Sequence, residues 1–422
     1  MSDTPALPAT TTTPAGERLV SLDAYRGIIM LAMASGGFAF KNVYDKNKDV
    51  QDCKVMQFLA EQFSHKEWVG CSFWDLIQPS FMFMVGVSMA YSYAKRQEKG
   101  ESQKSMLGHA LGRSLLLIML GVFLSTHPPQ DRVTHFTFTN VLAQIGLGYT
   151  FLFLLWNRRW FEQLGAAALI LGGYWLAMMN YSPPSDFQRE AVGVTEAWHQ
   201  EHEAHLDPHW HKNANFASNV DVWLLNRFPR PKDPETGEVQ RFKFNTGGYT
   251  TLNFIPSLAT MIFGLLAGGL LRSTRSQKFK FWMLVGGGLL ALGVGWGVGE
   301  TVSPLIKRIW TPGWAVYCTG WTLLMLAGFY AVIDWGGWKR WTFPLVVVGM
   351  NSIAIYCMSQ LLKPWITRHL DAHIGYHITS LFGPFSTRFQ NIFLPPLLSA
   401  SVLLVLWLIC YWMYRQRFFV KI

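Results

Sequence analysis

The sequence predicts an all-α fold: a polytopic integral membrane helix bundle of about ten transmembrane helices with one large extracytoplasmic insertion. Three observations carry that expectation. Of the 422 residues, 50% are hydrophobic and only 15% are charged, whereas a soluble domain carries roughly 25% charged residues. Apolar runs near the roughly 20 residues that cross a bilayer recur along the chain. Lys and Arg gather in alternate connections between those runs, as inner-face loops of membrane proteins do.

The apolar runs are 21–40, 72–94, 105–126, 138–156, 161–180, 251–271, 280–299, 313–333, 342–362 and 392–414. Mean hydropathy is only +0.17 because polar stretches dilute them. An even number of spans puts both ends on one side. The connections after the second, fourth, sixth and eighth runs hold Lys95, Arg96, Lys99 and Lys104, then Arg158 and Arg159, then Arg272, Arg275, Lys278 and Lys280, then Lys339 and Arg340. Arg18, Arg415, Arg417 and Lys421 share their side. The positive-inside rule makes that side cytoplasmic. The chain is therefore expected to be a multi-pass protein of the cytoplasmic (inner) membrane with both termini cytoplasmic. The net charge of +10 follows from topology, and nucleic acid is not an expected partner; the lipid bilayer is.

Residues 1–17 are polar, rich in Thr and Pro, and lack an apolar core. They read as a disordered cytoplasmic tail and not as a cleavable signal, so the first span is expected to direct insertion. Residues 18–422 form a single domain. Within it, 181–250 is long, polar and punctuated by prolines, and reads as a partly ordered lid on the outer face. Cys53 and Cys71 fall in or beside one outer loop, where an oxidising compartment would let them pair. Gly264 and Gly268 form a GxxxG, and Gly286–Gly299 is glycine-rich; small residues let helices approach closely in lipid.

Chemistry has few candidate residues. His65 precedes the second span on the outer side, and Asp75 lies about one turn inside it. A histidine there titrates near neutrality and serves as base or nucleophile; the plain alternative is a solvated loop histidine. Ser72 and Asp75 also fit a helix-start capping pattern. Lys307, in an outer loop, either binds an anionic substrate or snorkels at the interface. Gln144 and Asn351 lie within spans, where each either lines a substrate path or makes an interhelical hydrogen bond. Arg26 either pairs with Asp23 or meets an anionic ligand. The run Trp198–His211 holds His199, His202 and His205 at threefold spacing. With Glu201, Glu203 and Asp207 nearby, zinc or copper binding is the bolder reading of it. It contains no H-E-x-x-H signature, no metal is expected, and the segment is expected to stand apart from the chemistry.

Several segments carry a resemblance. Ser21-Leu22-Asp23-Ala24-Tyr25-Arg26-Gly27 opens the first span, and His65-Lys66-Glu67-Trp68-Val69-Gly70 leads to Asp75-Leu76 and Pro79. Further on stand Ile255-Pro256-Ser257 with Gly264 and Gly268, then Pro304–Thr311 as P-x-x-K-x-x-W-T, then Gly349-Met350-Asn351-Ser352. In this order they resemble the heparan-α-glucosaminide N-acetyltransferase family of membrane acyltransferases, as a divergent, bacterial-type member. The sequence departs from the family pattern at Gly37, where an Asn is usual, and at Ala143-Gln144, where an Arg is lost.

The resemblance implies transfer of an acetyl group from cytoplasmic acetyl-CoA, a donor substrate, to an extracytoplasmic acceptor, an amino sugar or glycan. His65 is then the base or nucleophile and Asp75 its orienting partner. A homodimer is among the assemblies the sequence allows. The competing class is a transporter of a small polar or lipid-linked solute. It predicts inverted repeats, and the two halves show no convincing match.

Overall fold

The computed structural model describes residues 19–127, 133–233, 235–375, 377, 380–381 and 386–420. The expected tail at 1–17 lies outside the described residues. Helix occupies each of the ten predicted segments: α1 (Val20–Ser35), α2 (Ile77–Glu98), α3 (Gln103–Thr126), α4 (Val141–Leu155), α5 (Trp160–Met179), α6 (Phe254–Arg272), α7 (Gln277–Thr301), α8 (Pro312–Phe329), the pair α9 (Phe343–Gly349) and α10 (Ser352–Leu361), and α11 (Leu394–Arg415). Among the described residues, five helical stretches are long and apolar enough to cross a membrane: Gln103–Thr126, Thr251–Arg272, Gln277–Thr301, Pro312–Trp335 and Phe389–Arg415. The α9–α10 pair makes a sixth if it is counted as one broken span.

Local chemistry sets the ends. Helix α1 stops five residues short of its predicted end because Gly36 adopts φ 62° and turns its N–H back to Met33 O, the left-handed closure that glycine takes without strain. Ser102, Asn140, Ser276 and Thr311 cap α3, α4, α7 and α8 with side-chain oxygens, each satisfying an N–H the helix leaves open. The expected continuous span 342–362 is instead bent by 64°. Asn351 sits at the bend, where its Nδ2 donates to Phe418 O (3.2 Å) and its Oδ1 accepts from Val420 N (3.0 Å). The side-chain amide thus ties the chain's final described residues to the break.

Helices pair as α1 with α9, α2 with α6, α3 with α4, and α7 with α8. Close approach at two of these crossings requires glycine. A Cβ on Gly86 would meet the Met261 carbonyl and one on Gly264 the Phe83 carbonyl, where α2 crosses α6; Gly27 and Gly349 face the Leu345 and Asp23 carbonyls where α1 crosses α9. Much of the resemblance therefore consists of packing residues. On the opposite faces, Leu115, Met119 and Phe123 of α3, and Leu289, Leu290 and Trp296 of α7, are exposed. Apolar belts of that size need lipid as their solvent.

The 181–250 segment carries two short helices, Glu196–His202 and Phe216–Leu225. It is packed onto the ends of the bundle: Trp210 and Ala217 share a buried cluster with Trp68, Tyr174, Ile306 and Ile309. All five cysteines are free, so the expected Cys53–Cys71 pairing does not form. Cys71 is held in the ordered turn before α2, its Sγ directed at Ser72 O, while Cys53 is exposed at the head of the Lys54–Gln62 helix.

Candidate functional site

Two loops far apart in sequence build the site. Residues 64–75 form a tight turn before α2, in which Gly70 takes φ 119°, a conformation other residues rarely adopt. The 303–311 loop joins α7 to α8. Gly70 N donates to Leu305 O (2.9 Å), and Val69 and Ile306 form an antiparallel bridge. Thr311 fixes the second loop: its Oγ1 accepts from Ile306 N (3.1 Å) while capping α8. Arg308 fastens the two loops, donating to Gly247 O (2.8 Å) and standing 3.5 Å from Glu67 Oε2.

This clamp places Lys307 beside His65 and Asp75. His65 Nδ1 lies 2.7 Å from Asp75 Oδ1. Lys307 Nζ lies 3.3 Å from the same oxygen and 3.0 Å from His65 Nδ1. Asp75 Oδ2 accepts from Lys66 N (3.1 Å) and Ser72 N (3.2 Å) and stands 2.9 Å from Ser72 Oγ. Five polar neighbours around a carboxylate whose side chain is 2% exposed keep it ionised. An ionised carboxylate accepts, so Nδ1 carries the proton and Nε2 the lone pair. Nε2 has no hydrogen-bond partner among the described residues.

The electrostatics favour a neutral imidazole. Desolvation lowers the His65 pKa, and the Lys307 and Arg308 cations lower it further against the opposing pull of Asp75. Burial pushes Lys307 down to about 8, with Asp75 holding its charge. At neutral pH the arrangement is a neutral base flanked by a cation; of the three side chains, His65 lines a cavity of about 420 Å³. Its walls include Lys41, Tyr44, Glu61, Trp68, His202 and His205.

Three of the six predicted site residues thus converge: His65, Asp75 and Lys307. Gln144 is separate, its Nε2 donating to Phe138 O (2.7 Å) and Thr251 O (3.1 Å). Arg26 packs against the middle of α2: its Nη2 donates to Ser88 Oγ (2.6 Å) and its Nη1 to Gly349 O (3.3 Å) and Asp23 Oδ1 (3.4 Å). Asp75 and Ser88 are separated by about 20 Å at 1.5 Å per helical residue. Asn351 is two residues beyond Gly349. Both amides make hydrogen bonds to backbone groups outside helices α1–α11.

Sequence reasoning paired Ser72 with Asp75 only as a helix cap, and missed Arg308 and Trp210, whose backbone carbonyl accepts the Trp68 indole N–H (3.0 Å). It also set the histidine-rich run apart from the chemistry. The structure corrects this, since His202 and His205 share a cavity with His65. The signal was absent because the contact forms between segments over 130 residues apart.

Residues 18–188 match the family model described as heparan-alpha-glucosaminide N-acetyltransferase, catalytic. That stretch contains His65, Asp75, Arg26 and Gln144. The chain is 23% identical to the heparan-alpha-glucosaminide N-acetyltransferase of Mus musculus over 400 residues, covering 85% of this chain and 56% of the mouse protein. It is 22% identical to that of Homo sapiens over 443 residues, covering 96% of this chain and 60% of the human protein. The chain therefore spans less than two-thirds of the length of these curated relatives. The catalytic-region match, and alignments running through the segments that hold Lys307 and Asn351, make the chain similar to the heparan-alpha-glucosaminide N-acetyltransferases.

Proposed function

We propose that the chain is a membrane-embedded acyltransferase that moves an acetyl group from cytoplasmic acetyl-CoA to an extracytoplasmic amino sugar or glycan. The observation that carries this reading is the His65–Asp75–Lys307 cluster, whose His65 lines a cavity while Asp75 and Lys307 stand behind it. His65 Nε2 takes the proton from the acceptor amine or hydroxyl as the acceptor attacks the thioester carbonyl, and returns it to the CoA sulfur as the C–S bond breaks. Alternatively Nε2 itself attacks, CoA leaves as the thiol, and the acceptor then takes the acetyl group from the ring. Asp75 fixes the ring tautomer and stabilises the cation that forms. Lys307 offsets the oxyanion of the tetrahedral intermediate. Arg26, which meets α2 at its middle, at Ser88, is suited to a CoA phosphate. All ten helical segments cross the membrane in this reading, with α9–α10 as one broken span and 181–250 outside. Purified protein in detergent, given labelled acetyl-CoA and a panel of amino sugars, is expected to transfer label to an acceptor. Donor binding with no transfer or hydrolysis across the panel would count against an enzyme.

The pH dependence follows from the two titrating groups. The base must be neutral and its pKa is lowered, so the acid limb of kcat/KM is expected below the ordinary imidazole value of about 6.5. Lys307 must keep its proton, so an alkaline limb is expected near 8. The two values belong to the coupled set. Lys307→Met should remove the alkaline limb and move the acid limb upward, because a cation facing His65 is gone. An unchanged profile in that variant would exclude Lys307 from the chemistry.

The orientation has its own check. Ser185 is exposed at the start of the insertion. In a Cys53→Ser background, which removes an exposed native thiol, Ser185→Cys is expected to react with an impermeant thiol reagent in intact cells. Labelling only after lysis would reverse the topology.

A further inference from the structure

The histidine-rich run holds a second cluster, of residues that do not line the His65 cavity. His199, Glu203 and His211 are buried, at 6%, 1% and 7% exposure. One donor atom from each lies within 4.8 Å of the others. His199 and Glu203 are four residues apart, so the turn that begins at the Thr195 cap aligns them. His211 returns to them after the Pro208–Trp210 turn. We propose that these three side chains bind one divalent transition-metal ion, zinc by preference, which pins the outer insertion beside the His65 cavity.

Charge is the first argument. Glu203 is almost fully buried, and among the described residues no Lys or Arg pairs with it. The nearest candidate, Lys212, points its Nζ over the Trp198 ring at 4.5 Å and gives Glu203 only its backbone N–H, at 2.6 Å from Oε2. An isolated buried carboxylate is costly unless it is paired or coordinates a metal. Among the described residues His199 is its one side-chain hydrogen-bond partner, with Nδ1 at 3.0 Å from Oε1. Two ligands on a tetrahedral zinc are about 3.3 Å apart for bonds of about 2.0 Å, so a shared cation replaces this hydrogen bond with little movement.

The outer support is the second argument. His211 Nε2 faces Leu206 O at 3.2 Å. A carbonyl only accepts, so Nε2 carries the proton and Nδ1 keeps its lone pair. Metal-bound histidines commonly donate their other N–H to a backbone carbonyl in this way. The Lys212 amide orients Glu203 likewise. Two imidazoles and one carboxylate suit zinc, cobalt, nickel or copper and not calcium or magnesium, which take oxygen ligands. Three protein ligands leave a fourth position for water.

The site's neighbours give it a consequence. Glu201, His202 and His205 on the same segment line the His65 cavity. Trp198 packs edge-on against Trp68 at 5.9 Å. A metal that holds His199, Glu203 and His211 together therefore fixes one wall of that cavity.

The full-length protein in detergent tests this directly. Elemental analysis is expected to find about one zinc per chain. Chelation should lower Tm, and added zinc, but not magnesium, should restore it. His211→Ala and Glu203→Gln should each weaken zinc binding about tenfold or more, while His205→Ala, outside the triad, should retain it. If a triad variant fails to fold, zinc titration of the stripped wild-type chain still decides. Zinc-free wild-type protein whose Tm ignores added zinc, or triad variants that keep stoichiometric zinc, would overturn the proposal in favour of a protonated His199 paired with Glu203.

Discussion

His65→Ala is expected to lower acetyl transfer by about a hundredfold or more while insertion, thermal stability and acetyl-CoA binding stay close to wild type. The His65 side chain is 40% exposed, so its removal opens no sealed core cavity. Asp75 keeps Lys307 and the two backbone N–H donors of Lys66 and Ser72, so the loop retains its anchor. What disappears is Nε2, an atom that acts only as the acceptor's proton leaves or the acyl bond forms. A loss confined to the transition state lowers kcat and leaves donor binding untouched. Turnover with labelled acetyl-CoA, set beside donor affinity of the same preparation, separates the two. Turnover near wild type would leave the cluster as a structural clamp only.

His65 and its partners were legible in the sequence as separate residues and not as a site. The spacing from His65 to Trp68, Gly70 and Asp75 is local, and a turn followed by a helix start keeps it local in space. Lys307 stood out through its own motif, yet nothing local says that residue 307 meets residue 65. That contact is made by Gly70 N–H on Leu305 O and by Arg308 across both loops. Helix positions were likewise legible because each span is a continuous apolar run. The bend at Asn351 was not, because Met350-Asn351 interrupts an apolar run without charge or proline. Gln144 and Asn351 illustrate the general limit: an amide inside a span must find a partner, and sequence does not say whether backbone or ligand supplies it. The histidine-rich run misled for a related reason. Threefold spacing grouped His199, His202 and His205, but the chain turns after His202, so His199 goes inward to Glu203 while the other two face the cavity.

The Asp75–Lys307 pair should show the largest effect on stability. Asp75→Ala is expected to destabilise the chain by about 3–5 kcal/mol, the usual consequence of removing one member of a buried ion pair. Both side chains are almost fully buried, at 2% and 7% exposure. The change strands the Lys307 cation and three donors around the lost carboxylate. Lys307 can relieve part of that cost by giving up its proton, since its pKa is already down to about 8 with Asp75 holding it up. The sign of the resulting pH dependence is fixed. Its folded pKa lies below the unfolded value of about 10.4, so between them the unfolded chain binds more protons. The stability of Asp75→Ala should therefore rise with pH across that window. Adding Lys307→Met removes the stranded charge and should recover part of the loss, so the double variant is less damaged than the two single changes summed, with a coupling of about 1–3 kcal/mol. Asp75→Asn separates chemistry from stability. Its amide still accepts from the loop N–H groups, but offers His65 Nδ1 a donor, and Lys307 offers another. Both turn the ring to the tautomer with its proton on Nε2, which cannot act as a base. Asp75→Asn is therefore expected to unfold at a higher temperature than Asp75→Ala and yet transfer acetyl almost as poorly as His65→Ala, as a wrong tautomer does in hydrolytic triads. Strict additivity in the Tm cycle, or an Asp75→Asn variant with substantial turnover, would show that the three side chains do not act as one unit.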